Sequence, residues 1–231
     1  MKGKKGTHVE VVLSFVLFVG AIFFIFLAFE KDIFVRQTPS SFISFKENLK
    51  KEISENLTSI TINVPTQSSQ SCIILSNFIS SFNNLGNKII ARDSSQKIDV
   101  DVQGNNLVLN SNGGRNFFIY SSPAFEEESS SLTNCEEASY SIAQVKKQKF
   151  YFESKILNLS SEHENSYEQL KEKLKIPKNQ NFGFSFVYSN NTVVSTKENL
   201  LEVNVYAEEE PLIFITKDGE VQIGKLIFRM W

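Results

Sequence analysis

The sequence predicts an α+β protein: an N-terminal transmembrane helix, then an antiparallel β-rich external domain with one or two surface helices. Three observations carry this expectation. Val11 to Phe29 contains no charged residue. From Ser59 onward, short runs alternate apolar and polar side chains and are separated by turn signals. Two stretches, 41–58 and 161–176, space their apolar residues three or four apart, as one face of a helix does.

The apolar run comes first. At about 1.5 Å per residue its length reaches roughly 28 Å, close to the hydrocarbon thickness of a bilayer. A cleaved secretory signal has a shorter apolar core of about 7–15 residues and a small-x-small exit site. Here the exit reads Phe-Leu-Ala-Phe-Glu-Lys. Lys2, Lys4 and Lys5 precede the run, and the positive-inside bias then keeps the N-terminus in the cytoplasm. Glu30, Lys31, Asp32 and Arg36 mark the outer interface. The expected layout is a leader over 1–10, a transmembrane helix over 11–29, a linker with an amphipathic helix over 30–58, and an external α+β domain over 59–231. Membrane lipid is the first expected partner, and the expected location is the cell membrane, crossed once, with the C-terminal domain extracytoplasmic.

In 41–58, Phe42, Phe45, Leu49 and Ile53 form the apolar stripe. Period-two runs follow: SITINV, SCIIL, KIIARD, KIDVDV, NLVLN and NFFIYS. KIDVDVQGNNLVLN reads as a hairpin with Ile98, Val100 and Val102 on one face. Residues 126–139 read as a polar loop and as the one candidate boundary within the domain. Residues 140–159 read as one long strand or two. In 161–176, Ser161 with Glu164 has a capping-box pattern, Tyr167, Leu170 and Leu174 form the stripe, and Pro177 stops the helix. FGFSFVYS, LLEVNVYA, LIFIT and EVQIGKLIFRM then read as strands, the last two joined by a tight turn at Lys217, Asp218 and Gly219.

Charge excludes one function class. Net charge is −2, so no global field draws nucleic acid, and none is expected as a partner. Of 24 basic and 26 acidic residues, three and one precede Phe29, leaving 21 and 25 beyond it. No catalytic constellation stands out, and the expectation is a protein that is not an enzyme. His163 sits in Ser-Ser-Glu-His-Glu-Asn, which reads as a solvated helix start. Asp99 and Asp101 share a strand face, but exposed polar alternation explains them. The glutamate runs at 126–128 and 208–210 read as solvated turns. Cys-x-x-Cys is absent and the only histidines are His8 and His163, so neither a metal nor a cofactor is expected. Cys72 and Cys135, the only cysteines, read as a disulfide in an exported domain or as two separate thiols. Asn56, Asn158 and Asn190 each open an N-glycosylation triplet.

Glu10 lies at the lip of the apolar run, where the dipole of a first helical turn favours a carboxylate. Lys4, Lys5 and Gly6, a short polar stretch, Glu10 and then an apolar helix together resemble the class III signal of archaeal type IV pilins and pilin-like proteins. That resemblance implies cleavage by a prepilin-type peptidase on the cytoplasmic side, around Lys5, Gly6 and Thr7, with the helix retained. It also implies that a glutamate at the fifth mature position neutralises the new N-terminal amine of a neighbouring subunit. Cleavage after Gly6 makes Glu10 the fourth residue; cleavage after Lys5 makes it the fifth and leaves the glycine beyond the cut. YEQLKEKLKIPKNQNFGFSF, helix to proline to Phe-rich strand, resembles a segment of archaeal pilin-like extracellular domains. The expected function is therefore a pilin-like structural or accessory subunit of a surface filament or secretion pseudopilus, partnered by other pilin-like subunits through the N-terminal helix. The alternative is an uncleaved anchor carrying a binding or adhesion domain of the cell envelope.

Overall fold

The computed structural model describes residues 7–30, 39–65, 71–82, 85–86, 88–94, 96–111, 113–127, 130, 132–197 and 205–231. The chain divides into two units, Met1–Pro39 and Ser40–Trp231.

The first unit holds one helix, α1 (Thr7–Glu30), with Glu10 in its first turn. Among the described residues, no helix is long and apolar enough to cross a membrane. This corrects the expected transmembrane helix over 11–29. The single-pass location, with its cytoplasmic N-terminus and external C-terminal domain, falls with it.

The second unit is α+β. Helix α2 (Ser40–Ile53) buries Phe42, Phe45, Leu49 and Ile53, the stripe its spacing predicts. It ends sooner than the periodicity suggested. The chain passes without a loop into β1 (Ser54–Asn63), where the buried positions become Leu57, Ile60 and Ile62. Here β1 lies between two partners in the sheet, and tertiary pairing outweighs helix propensity.

The remaining strands before the next helix are β2 (Cys72–Leu75), β3 (Ile89–Arg92), β4 (Lys97–Ile98), β5 (Val100–Gln103), β6 (Asn106–Asn110), β7 (Asn116–Ser121), β8 (Glu136–Glu137) and β9 (Ser141–Phe152). The predicted hairpin is β5–β6, turning at Gly104 with φ +63°. Its first part changes sheets at Asp99: β4 belongs to the larger sheet and β5 to the smaller.

The chain turns helical at Glu153, as α3 (Glu153–Asn165), then α4 (Tyr167–Lys173). The expected strand over 140–159 therefore stops at Phe152, and the helix expected from Ser161 begins eight residues earlier. The buried stripe of α3 is Ile156, Leu159 and His163; the last member is polar by type, which hid the period. Ile176 N–H to Lys171 O (2.9 Å) and Lys175 N–H to Glu172 O (3.0 Å) close α4, with Lys175 left-handed at φ 57° and Pro177 beyond.

Four strands complete the unit: β10 (Phe182–Tyr188), β11 (Val193–Ser195), β12 (Tyr206–Ile215) and β13 (Val221–Met230). The two strands expected at 200–207 and 212–216 are represented by the single β12, and 200–204 lie outside the described residues. The β12–β13 turn at Lys217–Gly219 is as expected, with Gly219 at φ +75°. The larger sheet runs β11-β10-β13-β12-β9-β1-β7-β3-β4, and the smaller β5-β6-β2-β8. Both are mixed rather than antiparallel, because β12 pairs β9 and β2 pairs β8 in parallel.

Two main cores result. One packs α2, α3 and α4 on β10, β12 and β13 through Phe45, Ile156, Leu170, Phe182, Phe214 and Phe228. The other lies between the two sheets, around Ile60, Ile73, Leu75, Leu107, Phe117 and Ile119. Tyr188 donates to a Glu153 oxygen at 2.7 Å, and the other oxygen accepts Lys217 N–H at 3.0 Å, tying the start of α3 to the last hairpin.

Candidate assembly helix and aromatic pocket

The described part of α1 is apolar on every side and covered on none. Val11 and Leu17 are each 67% exposed, Phe15 66%, Phe18 64% and Phe24 75%. An all-round apolar helix is normally a buried one, and an exposed apolar surface of this size marks a site of association. Glu10 is exposed at the N-terminal end of the same helix. Thr7 is the first residue of α1, while Lys5 and Gly6 lie outside the described residues.

The other predicted positions are scattered over the second unit. Cys72 and Cys135 form a disulfide with Cα atoms 4.8 Å apart, which settles the choice between a bridge and two thiols. It joins β2 to the segment just before β8. Asn56 on β1, Asn158 on α3 and Asn190 in the turn after β10 are all exposed and lie on separate elements. Asp101 accepts a hydrogen bond from Gln103 Nε2 at 2.8 Å. No group of three or more His, Cys, Asp or Glu able to hold a metal occurs among the described residues.

The glutamates at 208–210 are not a turn. They continue β12, and each has a basic partner. Lys46 Nζ lies 2.6 Å from Glu208 and 2.6 Å from Glu210, Lys50 also bonds Glu210, and Lys225 lies 2.8 Å from Glu209. Burial raises the Glu210 carboxyl, but the hydrogen bonds and charges of Lys46 and Lys50 outweigh it and hold the group below its ordinary range. The Lys46 and Lys50 pairs fasten α2 to the sheet, and Lys225 links β13 to β12.

His163 is the second correction. It is 6% exposed, within α3 rather than at a solvated start. Its Nε2 lies 3.1 Å from the Phe182 carbonyl oxygen, and its ring meets Tyr167 and Phe182 edge-on at 4.8 and 5.1 Å. Tyr167 stacks on Phe182 at 5.2 Å. These rings, with Asn181, Lys197 and Trp231, line a cavity of about 380 Å³. Lys197 and Glu164 face each other at 3.5 Å on its exposed rim. Burial pushes the Tyr167 hydroxyl up from its ordinary value. The pocket offers apolar ring faces and a few polar groups, which suits binding a small ligand. Sequence reasoning missed it because its walls come from two helices, the approach to β10 and the last residue. The only local signal is His163 and Tyr167 four residues apart.

No protein-family model, no curated protein and no solved structure matches the chain.

Proposed function

We propose that the chain is a pilin-like structural or accessory subunit of a surface filament or secretion pseudopilus, held in its assembly by α1. The observation that supports this best is the uncovered apolar surface of α1. Burying a Val, Leu or Phe side chain is worth about 1.5–3 kcal/mol. Covering half of the exposed apolar residues between Val11 and Phe24 would then contribute on the order of 10 kcal/mol, enough to hold a subunit among equivalent helices. Glu10 would meet the amine of a neighbour's processed N-terminus, two charges costly alone in an apolar bundle and tolerable together. The disulfide agrees with a domain that works in an oxidising compartment.

The test pairs intact mass and N-terminal sequencing of the native protein with sedimentation of Glu10→Gln. A start at Gly6 or Thr7, and loss of sedimenting assemblies in the variant, support the reading. An unprocessed N-terminus with unchanged assembly overturns it.

The pocket around Tyr167 favours a second reading, a binding or adhesion domain. Under it, Tyr167→Ala would lower attachment to the target surface while Glu10→Gln left attachment unchanged.

A further inference from the structure

From Ser141 to Phe150, among the described residues, strand β9 is hydrogen-bonded along one side only. Its partner β1 matches it from Ser54↔Tyr151 to Asn63↔Ser141. On the other side β12 meets it only at Tyr151 and Phe152. Every second residue of an antiparallel strand turns its N–H and C=O away from a given neighbour. Between Ser141 and Phe150, about five residues therefore present outward backbone groups that have no partner among the described residues. No backbone hydrogen bond among the described residues reaches that edge. Seven consecutive residues, 141–147, are exposed.

The side chains along this edge are specific. Ile142, Val145, Lys147 and Lys149 lie opposite Ile62, Ile60, Thr58 and Asn56 and so share one face, the register slipping at Thr61/Ile62. Ile142 and Val145 are each 45% exposed. Lys146 stands on the opposite face. Lys51, Lys146 and Lys147 form no ion pair among the described residues. Lys149 acts electrostatically on Glu55, whose hydrogen bond is taken by Lys155. Where the free edge ends, a groove of about 330 Å³ opens between α2 and β9, lined by Glu47, Lys50, Lys51, Lys149, Phe150 and Tyr151.

We propose that the free edge of β9 and this groove dock an extended acidic segment of another protein by strand addition. The backbone edge supplies the hydrogen bonds, and alternate side chains supply the selection. Run antiparallel, the incoming strand carries acidic residues opposite Lys149 and Lys147, then apolar residues opposite Val145 and Ile142. A second copy of this chain does not fit. Pairing β9 with β9 sets lysine near lysine, which edge lysines are placed to prevent. Pairing β9 with the free side of β12 meets Pro211, which lacks an N–H, and glutamates already held by Lys46, Lys50 and Lys225.

The test is fluorescence anisotropy with the full chain and a labelled nine-residue peptide, Thr-Glu-Thr-Glu-Thr-Val-Thr-Val-Thr. Binding is expected, and it should weaken roughly tenfold or more in Lys147→Glu/Lys149→Glu, since two attractive cross-strand pairs become repulsive. Lys175→Glu/Lys178→Glu, with the same change in charge, should bind as the parent does. The same peptide N-methylated at alternate residues keeps its charge and loses strand pairing, so it should not bind. Equal binding of the N-methylated peptide, or displacement of the parent peptide by a nine-nucleotide oligothymidylate, would show a plain polyanion site and overturn the proposal. No binding of the parent peptide at millimolar concentration overturns it as well.

Discussion

Replacing Cys72 and Cys135 together by alanine should destabilise the second unit by about 4 kcal/mol. The bridged residues are 63 apart in sequence, and constraining the unfolded chain over a loop of that length is worth about that much on the chain-entropy account. Alanine is the right replacement because Cys72 is only 4% exposed, and serine would add a buried hydroxyl. For a domain of this size each kcal/mol shifts the melting temperature by about 2–4 °C, so a drop of about 8–16 °C is expected. The damage should also be local. Beyond Cys135, β8 touches β2 through only Ile73↔Glu136 and Ile74↔Glu137, and Ala138 N–H bonds Ile74 O at 3.0 Å. With the bridge gone, that short parallel pairing has little to hold it. Urea unfolding gives the stability, and hydrogen exchange at Ala138 against Ile119 gives the locality. A stability loss under about 1 kcal/mol, or equal loss of protection at both amides, would refute the reasoning.

Two further outcomes follow from the packing and charge of the last strands. Glu210→Gln should cost about 0.5–1 kcal/mol at pH 7, the discount reflecting partial exposure of the pair. The folded carboxyl lies below its ordinary value of 4.5, so its contribution is present above that pH and is lost as pH falls through the folded value; the parent and variant stabilities should converge in acid titration. Gly224→Ala should cost about 1–3 kcal/mol, because the added Cβ would come within 2.7 Å of the Phe186 ring and 2.9 Å of the Val187 carbonyl oxygen. Thermal melts of the purified variant check this, and a change under a few tenths of a degree would show that the ring moves aside freely.

Elements whose apolar spacing stood alone were legible. The α2 stripe at Phe42, Phe45, Leu49 and Ile53 is buried as its period requires, and the Gly219 turn sits where Lys-Asp-Gly placed it. Elements failed where the deciding partner lay far off in sequence. Helix α2 was read five residues too long because what ends it is β1 pairing with β9, some ninety residues away. The start of α3 was missed because His163, a polar residue, completes its buried stripe beside Phe182. The extent of α1 was legible from the apolar run, but the span read from it did not stand.

The glutamates of β12 make the same point and carry it to function. Three carboxylates and a proline in a row satisfy every local rule for a solvated turn. In the fold they form one edge of a strand, because α2 presents Lys46 and Lys50 and β13 presents Lys225 to take them, and because Pro211 pairs with Lys225 while no strand among the described residues lies on the other side of β12 at that point. The lysines of β9 have no such partners among the described residues. Among the described residues, two edges of opposite charge thus stand without a strand beside them, and only the acidic one is neutralised from within. A long basic edge free of proline can take the backbone and charge of an added acidic strand, which is why the lysines of β9, rather than the glutamates of β12, mark the surface to test.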